Sequence, residues 1–177
     1  MRAVYYAAMP LILRRFTLTD EAEALAAHAE LAADGFDFLG SAWTSTGSWQ
    51  QTVQLYEDWE TGLNLPDGYV PAYSLAADVD GALVGRTSIR LGLNDFLATR
   101  GGHIGYAVRP AFRRKGFASA ILQGSLELAR EYGITRSLVT CDDNNTGSAS
   151  VIERCGGVLE NIVDDPVEGR YRRYWVN

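Results

Sequence analysis

Cysteine is scarce in this chain. Of 177 residues only Cys141 and Cys155 carry thiols, and neither belongs to a CxxC or CxxH pair. The spacing that marks a metal or haem site is therefore missing, and the two thiols read as buried and reduced, as in a cytoplasmic protein. Long apolar runs are missing as well, since no stretch approaches the roughly 18 residues of a membrane span. The nearest candidate, residues 3 to 13, is broken by Tyr5, Tyr6 and Pro10 and followed by Arg14 and Arg15, which argues against a secretory signal. Positive charge is in deficit: 16 Lys and Arg face 22 Asp and Glu, a net charge of −6. A broad basic face for nucleic acid is excluded on that balance, whereas a cationic amine would be drawn in the mean field; acidity of this size also serves solubility. Repeats, linkers and low-complexity segments are lacking too, so residues 1 to 177 read as one domain, 47% hydrophobic and 21% charged.

What the chain does have is a strand joined to a long helix by a basic turn. In HIGYAVRPAFRRKGFASAI, residues 103 to 121, the strand is Ile104 to Val108. Pro110 ends it, because proline cannot donate to a sheet ladder. Arg113, Arg114, Lys115 and Gly116 then lead into a helix whose apolar face is Ala118, Ile121, Leu122, Ser125, Leu128, Ala129 and Tyr132, and Gly133 stops it. A helix starting at such a turn offers unpaired N–H groups and a positive dipole end, and glycine lets a phosphate approach the backbone.

Before this unit, Leu11 to Arg15 reads as a strand, and Thr19 or Asp20 can cap a helix to about Ala33. Phe36, Phe38, Trp43, Trp49, Tyr56 and Trp59 follow, in a loop and a second helix from about Ser48 to Glu60. These rings suit either a core between helices and sheet or a substrate wall. Tyr73 to Val79 and Leu83 to Leu91 form a hairpin at Asp80-Gly81, and residues 92 to 102 make a connection longer than a hairpin needs. After the central helix come the strand Ser137 to Cys141, a helix capped within Asp142 to Asn145 and ending at Gly156, and the strands Val158 to Val163 and Arg170 to Val176.

Arg113-x-x-Gly116-x-Ala118, after a strand ending Val108-x-Pro110, resembles the R/Q-x-x-G-x-G/A signature of the GNAT superfamily of acyl-CoA-dependent N-acyltransferases. A second match lies at the expected distance: Asn145-x-x-Ser148 followed by Ile152-Glu153-Arg154-Cys155-Gly156 is similar to the family's N-x-x-A…Y-E-K-x-G-F helix. The resemblance covers residues 70 to 177 well and the first third loosely, and extends to a bacterial subgroup of acetyltransferases.

The resemblance implies an α/β (α+β) fold with a mixed, mostly antiparallel central sheet, helices on both faces, and one right-handed βαβ crossover from Ile104 to Cys141. It also implies acetyl-CoA as cosubstrate and no metal. The backbone of Tyr106, Ala107 and Val108 would meet the pantetheine arm in a gap between splayed strands. The pyrophosphate would meet Arg113, Arg114, Lys115, Gly116, Phe117, Ala118 and Ser119, while Asn145, Ser148 and Ile152 would complete the cofactor site. The Val108 N–H would stabilise the oxyanion. For the base, His103, Asp142 and a water relay stay open. Ile152 stands where the family's thiolate-protonating tyrosine aligns, so Tyr106 or Ser148 substitutes for it, or the thiolate leaves unassisted. Trp43 and Trp49 are candidates for the acceptor wall. The expected reaction is acetyl transfer to a primary amine of a small molecule by a monomer or homodimer that engages neither nucleic acid nor membrane. Protein N-terminal or lysine acetylation and non-catalytic acyl-CoA binding are the alternatives.

Overall fold

The computed structural model describes residues 11–167 and 169–177, so the reading of residues 3 to 10 as other than a signal segment lies outside the described residues. The strands are β1 (Leu11–Arg15), β2 (Ala72–Val79), β3 (Ala82–Arg90), β4 (Ile104–Val108), β5 (Ser137–Asp142), β6 (Val158–Asp165) and β7 (Gly169–Val176). The helices are α1 (Glu21–Ala32), α2 (Trp49–Glu60), α3 (Asp95–Thr99), α4 (Phe117–Glu131) and α5 (Thr146–Arg154). No described helix is long and apolar enough to cross a membrane.

Local chemistry explains most boundaries. Ser48 accepts from the Gln51 N–H at 3.3 Å and Gln51 returns the bond to the Ser48 N–H at 2.9 Å, a capping box that starts α2. Asn145 caps α5, accepting from the Ser148 N–H at 3.0 Å. Asp20 occupies the position before α1, but its carboxylate is taken by Arg14 and the Thr17 N–H instead of capping the helix. The long connection between β3 and β4, expected as loop, contains α3; Asn94 caps it by accepting from the Leu97 N–H at 2.8 Å.

The sheet is two antiparallel sheets, ordered β1-β2-β3-β4 and β5-β7-β6. The expected central sheet is parted where the family resemblance places its splay: β4 and β5 lie side by side but share no ladder. They are clasped at one end, where the His103 N–H donates to the Leu138 carbonyl at 2.7 Å and the Leu138 N–H donates to His103 Nδ1 at 2.9 Å. Beyond that clasp each strand follows its own sheet.

Strand alternation splits the core. Leu75, Ala77, Val84, Ile89 and Ile104 face α4 and α5, joining Ile121, Leu122 and Ile152. Ala76, Leu83 and Ala107 face the other way, toward α1, α2 and the rings of Phe16, Phe38, Trp49 and Tyr56. Helices therefore cover both faces.

Candidate active site

The ladder between β3 and β4 fixes which way the backbone of β4 points. The Arg90 N–H donates to the His103 carbonyl at 2.8 Å and the Arg109 N–H to the Val84 carbonyl at 3.0 Å. In an antiparallel register, residues 103, 105, 107 and 109 thus bond to β3, and the N–H and C=O groups of Ile104, Tyr106 and Val108 point away, toward the gap. The Val108 carbonyl is taken by Arg113 Nε at 3.2 Å. Ala107 instead bonds into the ladder.

At the open end of this gap lies a cleft of about 920 Å³, bordered by Tyr106, Val108, Gly116, Ser119, Asn145 and Arg154. Gly116 has φ of 88° and precedes α4, a left-handed conformation that glycine adopts without a Cβ penalty. It turns the chain so that the first N–H groups of α4, at Phe117, Ala118 and Ser119, lack intrahelical partners beside the cleft. Two ion pairs brace the turn against α1 and the segment that follows it. Arg109 holds Glu30 through Nε and Nη2, at 3.0 and 2.7 Å, and Arg113 Nη2 holds Asp34 at 2.6 Å.

The three successive cations therefore do different things. Arg113 is engaged with Asp34 and Val108, Lys115 Nζ donates to the Ala111 carbonyl at 2.9 Å, and Arg114, with φ of 60°, borders the cleft. Arg154 reaches the same cleft from α5 and was missed in the sequence. The signal was helical spacing: Gly147, Ser150, Val151 and Arg154 share the cleft face.

Of the residues expected here, Asn145 and Ser148 also border the cleft, but Ile152 does not. Ile152 is wholly buried and packs with Ala149 in the core, so it does not border the cleft. The chain after α5 presses on it: a Cβ at Gly157 would lie 2.5 Å from Ile152 Cγ2. Ile152→Val should accordingly lower unfolding free energy by about 0.5–1.5 kcal/mol in urea titration and leave the acetyl-CoA dissociation constant unaltered.

A second cavity of about 380 Å³ adjoins the first and is bordered by Phe36, Tyr56, Trp59, Tyr69, Phe96 and Tyr106. The aromatic segment does supply its wall, but not through Trp43 and Trp49. Trp49 is buried edge-on to Phe16, with its indole N–H donating to the Thr17 carbonyl at 2.9 Å. Trp43 packs on His28, ring centroids 4.6 Å apart. Trp49 turns inward because the buried face of α2 carries Trp49, Val53 and Tyr56 toward α1 and the sheet, while the half-buried Trp43 precedes α2 and is held by its His28 contact.

Tyr106 borders both cavities. Its hydroxyl is 2.8 Å from Ser148 Oγ across the gap, and burial pushes the phenol well above its ordinary pKa, against the smaller opposing effect of the Ser148 bond. Asp142 borders the cleft too, at its rim, paired with Arg100 at 3.0 Å. His103 borders neither cavity: Nδ1 is committed to the Leu138 N–H, and burial, then the charge of Arg90, lowers its pKa. Protonation of His103 must break that bond. Stability should then be full above the unfolded pKa of about 6.5 and fall as pH drops through it toward the lower folded value, by at most about 1.4 kcal/mol per pH unit. Urea titrations between pH 5.5 and 7 should show a shallower fall in His103→Gln; equal slopes would place the titration elsewhere.

A split antiparallel sheet with a glycine-turned helix at the gap defines an acyl-CoA-dependent acyltransferase. Residues 10–158 match the acetyltransferase (GNAT) domain, and the chain belongs to that family. No curated protein matches it by sequence. Among solved structures it is similar to RimJ from Mycobacterium smegmatis in complex with CoA-disulfide, at 19% identity and TM-score 0.64, over 96% of this chain and 82% of that one. It is likewise similar to RimL, the ribosomal L7/L12 alpha-N-protein acetyltransferase in complex with coenzyme A, at 19% identity and TM-score 0.65, over 93% and 92%. The microcin C7 self-immunity acetyltransferase MccE, in complex with acetyl-CoA and AMP, is 20% identical with TM-score 0.60 over 97% of each chain. These likenesses are of fold.

Proposed function

We propose that this protein transfers an acetyl group from acetyl-CoA to a primary amine of a small-molecule acceptor, with the two substrates meeting at Tyr106. The observation that carries this reading is that one side chain borders both cavities. The larger cleft suits acetyl-CoA: outward backbone groups of Tyr106 and Val108 for an extended pantetheine arm, and the first N–H groups of α4 with Arg114 and Arg154 for its phosphates. The smaller cavity suits the acceptor.

Acetyl-CoA supplies an activated acyl group; the protein supplies position and charge stabilisation. The gap-facing Val108 N–H holds the developing negative charge on the acyl oxygen. The 2.8 Å contact between the Tyr106 and Ser148 hydroxyls admits either as donor; with Ser148 donating, the phenolic proton is free to hydrogen-bond the departing sulfur. Because burial keeps the phenol protonated, Tyr106 serves as a persistent donor. The amine proton leaves through water at the cleft, since His103 is committed elsewhere and Asp142 sits at the rim with Arg100. Cytoplasmic placement accords with the free thiols Cys141 and Cys155.

Likeness of fold to RimL favours a protein N-terminus as the second reading. A screen of small amines and short peptides, following free-thiol release from acetyl-CoA, separates them. Turnover confined to peptides would replace the small-molecule acceptor, and coenzyme binding with no turnover on any amine would refute transfer.

A further inference from the structure

The sheet face beneath the aromatic wall carries two arginines that pair with no carboxylate among the described residues; Asp37 borders the same cavity, but its Oδ1 accepts from the Gly40 N–H at 2.8 Å. Arg86, Ser88 and Arg90 of β3 alternate onto one face. Their cross-strand partners are small: Ala76, Ser74 and Ala72 on β2, Ala107 and Gly105 on β4. The small residues leave the floor of the smaller cavity open around both guanidinium groups, and both arginines border it. A Cβ at Gly105 would lie 3.5 Å from Arg90 Nη2 and 3.7 Å from Nη1, so the Arg90 head lies over Gly105, next to Tyr106.

The bonds these arginines make go to neutral carbonyls. Arg90 Nη1 donates to Gly101 and Gly102 at 3.0 and 3.1 Å, and Arg86 Nη1 donates to Phe38. Among the described residues neither has a carboxylate partner, whereas Arg14, Arg15, Arg109, Arg113 and Arg172 each meet one. Burial, and then the charge of Arg86, brings Arg90 down to about 10, so Arg90 is still cationic at neutral pH and the two guanidinium groups repel each other. Two like charges in a half-enclosed cavity are relieved by an anion placed between them.

We infer that the acceptor carries an anionic oxygen group, carboxylate or phosphate, which Arg86 and Arg90 hold against the sheet while its amine reaches Tyr106. The inference rests on reading the smaller cavity as the acceptor site. A guanidinium fork with free N–H groups matches a carboxylate or phosphate in two-point geometry. Since Arg90 lies over Gly105, the anion and the amine must be near neighbours in the acceptor, as in an amino acid or phosphoethanolamine. Tyr56, Trp59 and Phe96 enclose its remainder. The local charge thus opposes the net charge of −6, and the mean-field attraction of a purely cationic amine does not describe this cavity.

Calorimetric titration of the CoA-loaded protein tests the anion requirement without turnover. The probes are the N-acetyl derivatives of glycine, leucine and phenylalanine against their N-acetyl amides, with phosphoethanolamine against ethanolamine in parallel. At least one anionic probe is expected to bind tenfold or more tighter than its neutral partner, and the pair that discriminates most identifies the anion as carboxylate or phosphate. Arg90→Lys should weaken that preference and Arg90→Met should reduce it at least tenfold. Arg86→Met gives an independent reading should Arg90→Met fold poorly. Equal binding of charged and neutral partners, or no binding of any anionic probe, would overturn the inference. Anion binding without acetyl transfer to any amine would refute the transferase reading and leave this site standing. Transfer to amides as fast as to acids would do the reverse.

Discussion

Replacing Gly116 with glutamate is expected to abolish the stabilisation that acetyl-CoA gives the wild-type protein. At about 100 times its dissociation constant a ligand adds roughly 2.7 kcal/mol, which for a chain of this length raises the melting temperature by about 5–10 °C. In Gly116→Glu a carboxylate would stand beside the N–H groups that begin α4, in conflict with phosphate. The left-handed φ of 88° adds a cost of about 1–2 kcal/mol to the free protein, so Gly116→Ala is the matching control. Thermal denaturation with and without acetyl-CoA should show the alanine variant less stable but still responsive, and the glutamate variant unresponsive. A full shift in Gly116→Glu would move the phosphates away from this turn.

Tyr106→Phe should lower kcat by about 10²-fold, the usual cost of removing one donor from a developing charge, with acetyl-CoA affinity changed less than threefold. Ser148→Ala should cost less, because the phenol can still reach the sulfur but is no longer oriented by the 2.8 Å bond. Since burial holds the phenol far above its ordinary pKa, neither variant should remove an ionisation from the kcat profile below pH 10. Unchanged turnover in Tyr106→Phe would mean that the thiolate departs unassisted. Steady-state kinetics with any acceptor found by thiol release is sufficient for the comparison.

The β4–α4 unit was legible because each of its signals is local: Pro110 ends a strand, Gly116 turns the chain, and the apolar stripe of α4 repeats every three to four residues. The split between β4 and β5 was not readable from composition or periodicity, since it depends on hydrogen bonds that are not made, and it came only from the family resemblance. Helix α3 was missed because five residues carry too little periodicity to stand out. On α5 only Ile152 departs from expectation: Asn145 and Ser148 do border the cleft, but Ile152 joins Ala149 in the apolar stripe, and burial turns it inward. The aromatic segment showed that a wall existed without showing which rings formed it, as that depends on the rotation of α2. Arg86-x-Ser88-x-Arg90 was readable by the two-residue period of a strand, and its meaning emerges only once the facing positions prove to be small.

The outward N–H and C=O groups of β4 have one more implication. A ligand gripped by main-chain atoms is recognised through a part of the polymer that is the same at every residue except proline. Amino-acid replacement along the strand can then proceed without eroding the grip, provided register and exposure are kept. Divergence is thereby channelled into the smaller cavity, where Arg86, Arg90, Tyr69 and Phe96 present side chains and every exchange alters what fits. A fold built this way can retain one donor for as long as its gap persists and change acceptors a residue at a time.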